Sequence, residues 1–239
     1  MRLKLFPALV CVVTVLQFPM LAAEEKDIPA PKGSSSSPSA VALAGQALRL
    51  AAYARENESP VAMLAAIEML GRIRFHSGEQ RLGQKTTEGK AQAPATKGTA
   101  APPTTDLDSL AAEAKAWAKA DPILIAFIER KLAEAKKARG GTLGADGGPI
   151  EQLDCVLGGQ TDTWTIRFNA NQRAEVAVSG DGRTDLDLVV EDEQGTVVFS
   201  DLDRGDQCQA GWMPKKTGIF RIRIANIEAA PNAYRLVVN

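Results

Sequence analysis

The 239-residue sequence carries 28 Lys and Arg against 29 Asp and Glu, with one histidine and three cysteines. A net charge of −1, with no basic patch interleaved with aromatics, argues against a nucleic-acid partner. A single histidine rules out an HExxH site or any multi-histidine zinc cluster.

The chain opens with Arg2 and Lys4, an apolar run from Leu5 to Phe18, and a small-residue exit at Ala22-Ala23 before Glu24-Glu25. That is the order of a secretory signal peptide. The run is shorter than the roughly 20 residues of a membrane span. Residues 1–23 are therefore expected to be removed, leaving a periplasmic or secreted protein with no membrane insertion. Residues 24–38, polar and rich in Pro and Ser, have the composition of a disordered leader.

Two helical hairpins follow, over residues 39–76 and 106–139. Leu43, Ala47, Leu50 and Ala54 recur at helical spacing. Ser59 caps a second helix with Pro60 at its first position, where the missing N–H leaves nothing unpaired, and Met63, Ile67 and Leu70 continue its apolar face. In the second hairpin Leu107, Leu110, Ala114 and Trp117 form one face, Asp121 caps, and Pro122 starts the next helix. Tyr53-Ala54-Arg55 before Ser59-Pro60 is echoed by Trp117-Ala118-Lys119 before Asp121-Pro122, a weak internal repeat. Neither hairpin can bury both its faces alone, so a four-helix unit is expected. Between the hairpins, residues 77–105 have low-complexity composition and read as a disordered linker looping out; residues 140–149 read as a Gly-rich linker.

From residue 150 the apolar period becomes two: Trp164, Ile166, Phe168; then Ala174, Val176, Val178; later Phe220, Ile222, Ile224. Short alternating runs split by Gly-, Asp- and Asn-rich turns predict an antiparallel β-sandwich or jelly roll over 150–239. The fold class expected is thus multidomain α + β. After signal removal two cysteines remain, Cys155 and Cys208, and in an oxidising compartment they are expected to form a disulfide.

Four stretches of this region resemble the bacterial pre-peptidase C-terminal domain family: Leu157–Trp164 (LGGQTDTW), Asp185–Asp192 (DLDLVVED), Thr217–Ile224 (TGIFRIRI) and Tyr234-Arg235-Leu236. The resemblance covers about residues 150–239. It implies a jelly-roll-like module of exported bacterial proteins, often appended to peptidases and not itself catalytic, of which some relatives bind calcium or extracellular polymers. No peptidase precedes it here.

Tests for chemistry return little. His76 reads as a helix-end cation, and no GxSxG elbow, P-loop or GxGxxG follows a strand. Asp185 and Asp187 flank Leu186 and so share the sheet face away from the core, while Asp201, Asp203 and Asp206 cluster in a loop. These five are weak calcium candidates, since calcium takes six to eight oxygens, against the blander reading of solvated turn residues. Trp164 falls on the inward alternation; Trp212 is expected to pack on the disulfide, with a polymer-binding platform as the alternative. The expectation is a non-catalytic exported binding or accessory protein without a resident cofactor, its helices for an exported or envelope protein partner and its sandwich ancillary. The alternatives are a polymer- or carbohydrate-binding protein acting through the sandwich and an unrecognised enzyme.

Overall fold

The computed structural model describes residues 38–77, 82–92, 101–138 and 148–239. The expected signal peptide, all but the last residue of the leader, and residues 140–147 of the Gly-rich linker lie outside the described residues.

Four helices form as the periodicity indicates: α1 (Ala40–Glu56), α2 (Pro60–Leu70), α3 (Leu107–Trp117) and α4 (Pro122–Ala138). Their starts are capped by side chains. Ser39 accepts from the Ala42 amide, Ser59 from Ala62, and Asp106 from Ser109; Asp121 Oδ1 accepts from Ile123 and Leu124 at 2.9 and 3.2 Å. Each cap satisfies an N–H that the first helical turn leaves orphaned. The repeat shows in the turns: Glu58 in the first, and Lys119 and Ala120 in the second, take positive φ just before the cap.

The hairpins do pack together, around Ala51, Met63, Ile67, Leu110, Ala114 and Ile128. Arg55 of α1 grips Glu113 of α3 through two hydrogen bonds of 2.7 and 3.0 Å. Lys131 of α4 reaches Glu68 of α2 at 2.5 Å.

The rest of the chain builds two sheets. The first has the order β1-β3-β10-β5-β8: β1 (His76–Ser77), β3 (Ile150–Val156), β10 (Asn232–Val238), β5 (Ala174–Ser179) and β8 (Gln207–Trp212). The second has the order β2-β4-β9-β6-β7: β2 (Lys85–Glu88), β4 (Thr161–Phe168), β9 (Gly218–Asn226), β6 (Leu186–Glu191) and β7 (Val197–Asp201). All pairs are antiparallel except β1 with β3. The interior between the sheets holds Trp164, Ile166, Leu188, Ile222, Tyr234 and Leu236, among others. The expected sandwich is therefore present.

Two boundaries differ from expectation. Helices and sandwich are not separate domains: residues Ser37–Asn239 form one compact unit. Ala177 of β5 and Val237 of β10 belong to the helical core, and α1 lies on the outer face of the first sheet. The physical reason is a face of small residues. A Cβ at Gly45 would sit 3.3 Å from the Ala177 Cβ, so helix and strand approach closely with little apolar bulk to announce the contact. β5 and β10 are accordingly buried on both sides.

The second correction concerns 77–105, which is not simply a linker. Lys85–Glu88 adds a strand to the second sheet, and His76–Ser77 adds one to the first. His76 lies beyond α2, in a strand, and its amide donates to the Pro149 carbonyl at 2.9 Å, so it is no helix-end cation. Around β2 the backbone fits tightly: a Cβ at Gly83 would fall 1.8 Å from the Thr165 oxygen, and Gly89 holds φ of 96° against the Gly159 carbonyl. At the far end of the segment, Arg235 donates to the Pro103 carbonyl at 2.6 Å and pairs with Glu151, which also accepts from Thr105 at 3.2 Å.

Candidate functional site: a cleft at one end of the sandwich

The added strand completes a buried polar cluster around Asp162. Asp162 of β4 is fully buried. Its carboxylate accepts from Thr87 Oγ1 at 2.6 Å and Tyr234 Oη at 2.9 Å, and Lys85 Nζ lies at 3.3 Å. Lys85 also pairs with Asp154 at 2.8 Å, and Trp164 Nε1 donates to Tyr234 Oη at 2.9 Å. Burial and the neighbouring Asp162 push the Tyr234 phenol far up, so it stays a neutral donor. Every named member has a partner, which is the signature of a structural network. Trp164 is core, as its alternation indicates.

The expected disulfide does not form: Cys155 and Cys208 are free thiols. Cys155 on β3 stands opposite Ala233, on the face turned toward the helices, whereas Cys208 on β8 stands opposite Val178 and faces the sandwich interior. β10 and β5 lie between their strands. Three inter-strand steps of roughly 4.8 Å put the strands about 14 Å apart, where a bridge needs Cα atoms within about 7 Å. Cys208 Sγ instead donates to the Leu186 carbonyl at 2.9 Å. Burial, followed by the carboxylates of Asp201 and Asp187, pushes its thiol up to about 12.

The five acidic calcium candidates come near one another without forming a ligand set. Asp187 is held above the usual carboxylate range by burial and then by the charges of Asp185 and Asp201. Three of the five, however, turn carboxylate oxygens to the loop backbone. Asp185 Oδ1 accepts from Gly205, Asp201 Oδ1 from Asp203 and Oδ2 from Gln209, and Asp206 Oδ2 from Gly182. Among the described residues no group of three or more His, Cys, Asp or Glu side chains is placed to hold a metal ion.

Trp212 has no disulfide to pack on. Its ring meets Phe168 edge-on at 4.9 Å between centroids and Phe220 at 5.4 Å, and Phe168 meets Phe220 at 5.9 Å. This aromatic cluster closes one end of the sandwich. Above it lies a cleft of about 660 Å³, within the range usual for ligand sites. One wall is the β6–β7 turn with Asp192, Glu193 and Gln194; the other is the β8–β9 loop with Lys215 and Lys216. Met213, 57% exposed, stands on the rim.

Both walls are held. Asp192 Oδ1 accepts from Gln194 and Thr196 at 3.0 and 2.8 Å, fixing the turn. Thr217 Oγ1 accepts from Ala170 and the Pro214 carbonyl from Asn171, both at 2.8 Å, fixing the loop. A register shift between Val190 and Glu191 leaves Val198 as an extra residue on β7, and this bulged side chain lines the cleft. The Trp212 Nε1–H is buried and has no acceptor among the described residues. An unmet buried donor costs about 1–3 kcal/mol, and such an exception in a folded protein calls for an explanation.

The sequence named Trp212 but not its surroundings. The signal available was Trp212-Met213-Pro214 followed by two lysines, an apolar-then-basic loop; its pairing with Asp192-Glu193 depends on β7 folding back beside β8.

No family model matches the chain, and no curated protein matches it. Among solved structures it is similar to the pre-peptidase C-terminal domain of collagenase from Bacillus anthracis, with 16% identity, 37% of this chain and 87% of that chain covered, and a TM-score of 0.34. It is similar to Aeromonas hydrophila PliG, a periplasmic inhibitor of g-type lysozyme, with 16% identity, coverage of 41% and 91%, and a TM-score of 0.31. A third is a carbohydrate-binding module of Cellvibrio mixtus lichenase 5A in complex with cellotriose, with 11% identity, coverage of 37% and 86%, and a TM-score of 0.24. At such identities and scores these likenesses say nothing of what this chain binds. No helix among the described residues is long and apolar enough to cross a membrane.

Proposed function

We propose that the protein is an exported, non-catalytic binding protein that takes an extracellular polymer in the cleft beside Trp212. The observation that carries this reading is the cleft itself. An aromatic floor, an exposed apolar rim and charged walls meet at one end of the sandwich. Ligand sites are mostly apolar concavities with a few convergent polar groups, and this one has that composition. The polar cluster around Asp162 is internally satisfied and needs no substrate. Electrophoresis of the mature protein through gels containing soluble polysaccharides tests the reading. Retarded migration that Met213→Asp abolishes is expected. Retardation indifferent to Met213→Asp, or none with any polymer, would refute it.

A second reading assigns a protein partner to the helices. It is favoured by the exposure of Ile123 at 82% and Phe127 at 40%, one turn apart on α4, and of Val61 at 68% on α2. Crosslinking from position 127 in the native host, lost in Ile123→Asp, would support it; no crosslinked species would count against it.

A further inference from the structure

Resting on that reading of the cleft, we infer that its ligand is an uncharged polysaccharide, gripped by walls of opposite charge. The charges lining the cleft are Asp192 and Glu193 on one side and Lys215 and Lys216 on the other, which sum to zero. Neither lysine is engaged in an ion pair with the described residues, so both ammonium groups are available to a ligand. A polyanion entering the cleft meets the carboxylates of one wall, and a polycation the ammonium groups of the other. Either pays like-charge repulsion on desolvation. A sugar hydroxyl is donor and acceptor at once. One chain of hydroxyls can therefore donate to Glu193 and accept from Lys216 without a charge mismatch. The C–H faces of the rings would lie over the apolar rim at Met213 and Ile219, with the Trp212–Phe220 pair beneath.

An extended peptide is the rival with the same reach, and part of the β8 edge is closed to it. Peptides commonly bind by adding a strand, which needs free backbone groups along an edge. On β8 the Gln209 amide already donates to Asp201 Oδ2 at 3.0 Å and the Gln207 carbonyl already accepts from Arg49 at 3.0 Å.

The test uses the mature full-length protein in affinity gels with three soluble polymers: a neutral glucan, polygalacturonate and chitosan. Retardation by the glucan is expected, with affinity changing less than twofold between about 50 and 500 mM NaCl, because no net charge is neutralised. Trp212→Phe, which keeps a ring on Phe168 and Phe220 but removes the indole, should weaken it about tenfold; near-UV circular dichroism controls for the fold. Glu193→Lys, which makes the lining net positive, should transfer preference to polygalacturonate. Tighter binding of either charged polymer to the unmodified protein, abolished by Met213→Asp, would overturn this inference while leaving the cleft as the site. Displacement of the glucan by a peptide bearing both charges, with strong salt dependence, would do the same. If no polymer responds to Met213→Asp, the cleft reading falls together with it.

Discussion

Replacing Lys85 by Met isolates the contribution of the β2 strand. The substitution keeps the length and apolar stem of the side chain and removes its charge. In the folded protein Lys85 is the cation for Asp162, whose side chain is 1% exposed, and it also pairs with Asp154. Breaking a buried pair by removing one partner costs about 3–5 kcal/mol. Asp162 keeps its bonds from Thr87 and Tyr234, so the lower end applies, about 3 kcal/mol. For a unit of this size that lowers Tm by about 6–12 °C. Adding Asp162→Asn to Lys85→Met should recover much of the loss, because no buried charge is then left alone.

The same pair has a pH signature. Burial works against the Lys85 charge, but its hydrogen bond to Asp154 and the attraction of Asp162 and Asp154 together outweigh it, raising the amine above its ordinary 10.5. A raised folded-state value means the stabilisation is complete below 10.5 and is lost as pH rises through the folded value. The gap between the unmodified protein and Lys85→Met should therefore close in alkali. Urea unfolding followed at several pH values measures both effects. A Lys85→Met variant within about 0.5 kcal/mol of the unmodified protein would show that β2 does not hold Asp162.

Further outcomes follow from other contacts. Non-reducing peptide mapping should find no Cys155–Cys208 link, and stability should fall as pH rises from 9.0 toward about 12, as the unfolded chain ionises a thiol that the fold keeps protonated at Cys208; one linked pair would contradict the strand order. Gly71→Ala places a Cβ 2.6 Å from that of Ala135 and 2.9 Å from its backbone, so a loss of about 1–3 kcal/mol is expected in thermal melts; a neutral result would mean α4 does not pack there. Asp187→Asn removes a carboxylate crowded by burial, Asp185 and Asp201. It should stabilise by up to about 1 kcal/mol at neutral pH, a gain that vanishes in acid, and millimolar calcium should leave melting unchanged. Destabilisation together with a calcium-dependent shift would restore the metal reading.

Much of this architecture was legible because its signals are local. Ser59-Pro60 and Asp121-Pro122 mark helix starts by capping chemistry alone, and the alternation through Phe220, Ile222 and Ile224 marks a strand that faces a core. What was not legible depends on distant partners. Lys85-Thr86-Thr87-Glu88 has no apolar residue, so nothing in its composition distinguishes an edge strand from a solvated loop; it is a strand because Asp162, 75 residues from Thr87, needs its donors. The helix–sheet contact was hidden by its reliance on Ala and Gly, and the disulfide expectation failed because pairing from cysteine count carries no information on strand order or face. At the cleft, Trp212 was visible but the opposing wall was not, since Asp192 and Lys216 come to line one cleft only through the fold.

The most direct test of the central claim is the indole N–H resonance of Trp212. The chain has three tryptophans; Trp212→Phe assigns one indole signal, and Trp164, bonded to Tyr234 in the core, serves as an internal control. Titration of the labelled protein with a soluble neutral glucan oligomer should move the Trp212 signal saturably and leave that of Trp164 in place. A Trp212 resonance that stays fixed while oligomer binding is detected elsewhere, or no saturable change in any signal, would contradict the account.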